Sequence, residues 1–122
     1  MVTADSGLYP LRWPPGAQPV AARFDEGAAV FARGEAAYEQ GRYGEAAELF
    51  LEAAAVLVLG GRDSDVFAAG RTASYWNAIL ANVAAGDRAA ARRVGKVVEE
   101  NDLECYRSVA ELLSRLALIA GG

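Results

Sequence analysis

Apolar residues recur at helical spacing from residue 22 onward, with Gly and Asp at the breaks, and the pattern predicts helices at about 22–40, 43–59, 64–85, 87–100 and 103–120. Gly41 and Gly86 stand where a left-handed residue closes a helix, and Gly60-Gly61 ends the second segment. Ser64, Asp87 and Asp102 are placed to accept bonds from the free amides of the helix that follows each. Linkers this short make neighbouring helices antiparallel, so the expected outline is all-α: two helical hairpins and a final single helix. Pro10, Pro14, Pro15 and Pro19 all fall before the first helix, where each removes an amide donor and favours extended backbone. Residues 1–20 therefore read as an extended N-terminal arm and 21–122 as one helical domain.

Within that domain, Ala36 and Ala37 beside Ala46 and Ala47, and Ala78 and Ala81 beside Ala89, Ala90 and Ala91, are small enough for paired helices to approach closely around a turn. On the last segment, Leu103, Tyr106, Val109, Ala110, Leu112, Leu113, Leu116 and Ile119 mark a broad apolar stripe. Glu104, Arg107, Glu111 and Arg115 mark its outer face, the pattern of a terminal cap.

Internal similarity supports a repeat. Gly41-Arg42-Tyr43-Gly44-Glu45-Ala46-Ala47 and Gly86-Asp87-Arg88-Ala89-Ala90-Ala91 align at a spacing of 45 residues, each straddling a helix-to-helix turn. Gly34, Tyr38, Gly41, Tyr43, Ala46, Phe50 and Ala53 resemble the tetratricopeptide repeat, and Tyr75, Gly86, Ala91 and Val98 fall at matching offsets in the second copy. In that second copy Arg88 and Gly95 replace the aromatic positions. The resemblance implies that the first helix of each hairpin lines a concave groove. Phe31, Glu35, Tyr38 and Glu39 would face it from one hairpin, and Ala73, Trp76, Leu80, Val83 and Ala84 from the other. Such a groove would take an amphipathic helix or an extended peptide, with its aromatics as anchors. A Trp and a Phe at helical spacing serve equally well as plain core, and the sequence leaves both readings open. Trp76→Glu is then expected to abolish capture of a partner while the fold survives.

Composition narrows the function. At 122 residues the chain has room for one core, and 53% hydrophobic residues with 27 Ala favour a soluble helical protein. A net charge of -4 argues against nucleic acid, and no stretch is apolar for the ~20 residues that membrane insertion needs. Nothing before Gly16 resembles a secretory signal, so the expected location is the cytoplasm, and the Ala content with 11 Arg against one Lys suggests a bacterial, GC-rich genome. There is no His, one Lys and one Cys, Cys105, so no nucleophile and base pair, metal site or cofactor is expected, and no enzyme activity. Cys105 reads as a small buried apolar residue.

Two further features bear on partners. Tyr9, Leu11 and Trp13 make the arm apolar enough that docking onto the body is favoured over a free arm. Charge is also uneven. Seven acids lie between Asp25 and Glu52 against Arg33 and Arg42, while Arg88, Arg92, Arg93 and Lys96 form a basic face that either is solvated and balances nearby Glu, the commoner outcome, or meets an acidic partner. The rows Glu45, Glu48, Glu52 and Arg88, Arg92, Lys96 are complementary, which makes head-to-tail homo-oligomerisation the competing expectation. The leading expectation is an adaptor or small chaperone that binds another protein.

Overall fold

The structure is a computed structural model that describes Leu11 and residues 22–60 and 65–114. Five helices make it up: α1 (Ala22–Glu39), α2 (Tyr43–Gly60), α3 (Asp65–Ala84), α4 (Arg88–Asn101) and α5 (Leu103–Ser114). The all-α expectation holds. Of the arm only Leu11 lies among the described residues, so Tyr9 and Trp13 fall outside them, as do Ser64 and the final apolar positions Leu116 and Ile119.

The two predicted turns are built alike. Gly41 and Gly86 both have positive φ, 79° and 81°. In the first turn the amides of Gly41 and Arg42 donate to the carbonyls of Tyr38 and Ala37. In the second, the amides of Gly86 and Asp87 donate to Val83 and Asn82. This paired closure satisfies two helix-end carbonyls and needs a left-handed residue at its centre, which glycine adopts without strain. Asp87 then opens α4 by accepting the Ala90 amide at 3.0 Å. The 45-residue spacing in the sequence is thus a repeated turn geometry.

Close approach of α1 and α2 depends on one missing side chain. Phe31 and Phe50 stack in a tilted pair at 5.1 Å, and a Cβ added at Gly34 would come within 2.8 Å of the Phe50 ring. Gly34→Ala is expected to destabilise the protein by about 1–3 kcal/mol, because the buried ring must leave its position. Thermal or urea unfolding of the variant would measure this, and an unchanged or raised stability would show that the ring moves freely.

α3 is the hub. It packs against α1, α2, α4 and α5, whereas α2 and α4 do not pack against each other. Ala73, Trp76, Ala78, Ile79, Leu80 and Ala81 are buried around most of its circumference, as a helix surrounded by others requires. Between them sit three buried polar residues, Arg71, Ser74 and Asn77. Ser74 satisfies itself locally, its hydroxyl donating to the Gly70 carbonyl at 2.8 Å. Arg71 and Asn77 instead reach other parts of the chain.

Asp102 departs from its expected role. Its carboxylate turns inward and accepts from Arg71 Nε at 2.7 Å, while its amide closes α4 on the Val98 carbonyl. That bond orients α5, whose buried positions among the described side chains are Cys105 and Val109, one turn apart. Leu103 is therefore 63% exposed rather than part of the inward stripe, since it lies roughly 200° around the helix from Cys105.

Candidate functional site

The residues expected to floor a concave groove are distributed differently. Phe31 and Trp76 are fully buried and Leu80 nearly so, all three in the main core with Phe50 and Ile79. They offer no open apolar surface, because all three are closed within the core. Of the two readings open for these side chains, Phe31, Trp76 and Leu80 take the core and not the anchor position. Tyr38 is half-buried against Tyr43, ring centroids 5.1 Å apart, and burial first, then the neighbouring Tyr43, raises its pKa above the ordinary value. Glu35 and Val83 are half-buried, and Glu39 is exposed. Arg88, Arg92, Arg93 and Lys96 are all exposed, as a basic face requires.

An open groove exists elsewhere. α2 and α4 each lie on α3 without meeting, and the space between them is a cleft of about 540 Å³. Gly44, Ala47, Glu48 and Leu51 form one wall and Ala90, Arg93, Val94 and Val97 the other. Both sets follow the spacing i, i+3, i+4, i+7, the signature of one helix face. Tyr75 and Asn82, two turns apart on α3, form the floor, and Asp87 closes one end. Leu51 and Val97 are among the few large apolar side chains left exposed among the described residues, 36% and 51%. Glu48 stands on one wall and Arg93 on the other, so the rims carry opposite charge.

Two polar constellations flank α3. In the first, Arg71 is held by Asp102, with a second contact of 3.5 Å from Nη2 to the same carboxylate and a longer one, 3.7 Å, to Glu104. Arg71 Nη1 is buried with no hydrogen-bond partner. Burial works against its charge, but the bond to Asp102 and the proximity of Cys105 outweigh it, so its pKa is raised. Cys105 donates to the Ala68 carbonyl at 3.4 Å, and burial pushes its thiol pKa up. The thiol is thus the small buried residue the sequence suggested, in a setting that disfavours thiolate. In the second constellation, Asn77 pairs with Leu11. The Leu11 amide donates to Oδ1 at 2.7 Å and Nδ2 donates to the Leu11 carbonyl at 2.9 Å. Leu11 packs on the main core.

Among the described residues no group of three or more His, Cys, Asp or Glu side chains is placed to hold a metal ion. No helix among them is long and apolar enough to cross a membrane.

The chain matches no family model, no curated protein and no solved structure. Sequence reasoning missed the α2–α4 cleft, although the matched stripes 44, 47, 48, 51 and 90, 93, 94, 97 were readable as second helix faces.

Proposed function

We propose that the protein is a tetratricopeptide-like interaction module that holds an amphipathic helix of a partner protein in the α2–α4 cleft. The observation that carries this reading is the cleft itself, with parallel apolar stripes on two helices and Leu51 and Val97 left exposed. A third helix laid over α3 would bury those side chains in the way helix-in-groove complexes do. Opposite charge on the two rims gives the partner a preferred direction: basic residues toward Glu48 and acidic residues toward Arg93. The reading assigns the site to binding rather than catalysis, and an adaptor or small chaperone is the role that fits it.

Val97→Glu tests this. Val97 is half-exposed, so the folded state should change by no more than about 0.5 kcal/mol. A charge placed in the cleft should weaken partner binding at least about tenfold, or 1.4 kcal/mol. Affinity capture with wild-type and variant baits, both checked by circular dichroism, reads the result. One protein held by the wild type and lost by the variant supports the reading. A partner held equally by both would overturn it.

Self-association is the second reading, favoured by the exposed rows Glu45, Glu48, Glu52 and Arg88, Arg92, Lys96. It requires a mass that rises with concentration in light scattering and falls with salt.

A further inference from the structure

Asn77 is a fully buried carboxamide in the middle of the core helix, and both its ends are spent on the backbone of one residue 66 positions earlier. An extended chain turns the amide and carbonyl of a single residue to the same side, the arrangement by which neighbouring strands exchange two bonds. Asn77 reproduces the partner half of that exchange with its side chain. Such pairing reads backbone, not side-chain identity, while the leucine adds an apolar anchor against the core. With residue 11 in place Asn77 is fully buried and both ends of its carboxamide are paired, so neither bond competes with water.

We propose that the face of α3 around Asn77 is a binding site for an extended, leucine-bearing peptide, and that the chain's own Leu11 is its resident occupant. Any peptide binding there in trans must first displace residue 11, whose covalent tether gives it a high effective concentration. The site is separate from the cleft. Asn77 lies roughly 200° around α3 from the cleft residue Tyr75, so the two faces of the helix serve different ligands.

The test uses the full chain with Leu11→Asp, which puts a charge where the apolar anchor sits, and a fluorescent synthetic peptide with the sequence of residues 5–16. Fluorescence anisotropy should show saturable binding to this variant and at least tenfold weaker binding to the wild type, where the resident segment competes. Adding Asn77→Ala to the variant should reduce binding at least tenfold, as should Leu11→Asp within the peptide. Leu11→Ala provides the same comparison with a smaller change should the aspartate lower helix content. A variant that keeps its helix content yet takes up no peptide would overturn the proposal. So would peptide binding that ignores Asn77, or loss of helix content in both Leu11 variants, which would make residue 11 part of the fold rather than a ligand. Val97→Glu leaves this measurement untouched, so the peptide site and the cleft stand or fall independently.

Discussion

Asp102→Ala is expected to lower the unfolding free energy by about 3–5 kcal/mol, because it strands a fully buried guanidinium. The carboxylate contact left to Arg71 would be the 3.7 Å one to the exposed Glu104, and its Nη1 already lacks a partner. A loss of that size is a large share of the 5–15 kcal/mol typical of a domain. Urea unfolding followed by circular dichroism measures it. Combining Asp102→Ala with Arg71→Met should recover most of the stability, since an apolar side chain of similar length needs no partner there. A single-variant loss under about 1 kcal/mol would mean that the guanidinium reaches water by a small shift of α5. The pair joins the middle of the core helix to the α4–α5 turn, so its failure should also loosen the α5 register set by Cys105 and Val109.

Trp76→Ala is expected to cost about 3–5 kcal/mol, the range for removing a large aromatic from a packed core. Calorimetric or chemical unfolding gives the number, and a cost below about 1 kcal/mol would place the ring at the surface. Trp76→Glu should be worse, since it buries an unpaired carboxyl as well. That substitution therefore reports on folding and not on partner binding. Val97 and Leu51 are the positions at which the proposed binding is to be tested, since both are exposed and the core stays intact when they change.

Much of the architecture was legible in the chain. Helical periodicity located all five helices to within a residue or two wherever they are described, and glycines at 41 and 86 announced two turns that prove geometrically alike. These features are local: a helix start and a left-handed residue act within a few residues of themselves.

The site was not legible in the same way, and α3 shows why. A helix covered on one side displays one apolar stripe, and its face can be read. α3 is covered by four helices, so Ala73, Trp76, Ile79, Leu80 and Ala81 spread around it and leave no pattern separating core from groove. Asp102 shows the same difficulty for a polar residue. At a helix start its carboxylate has a local use as a cap, and a charge 31 positions earlier outcompetes it.

By itself the sequence determined the all-α class of the described residues, the breaks between helices and the repeated turn, because each follows from propensity and sterics over short stretches. The tertiary structure alone decided which face of α3 stays open, that Trp76 is core, and that Asn77 grips residue 11. Those outcomes depend on contacts between segments tens of residues apart, which no local pattern encodes.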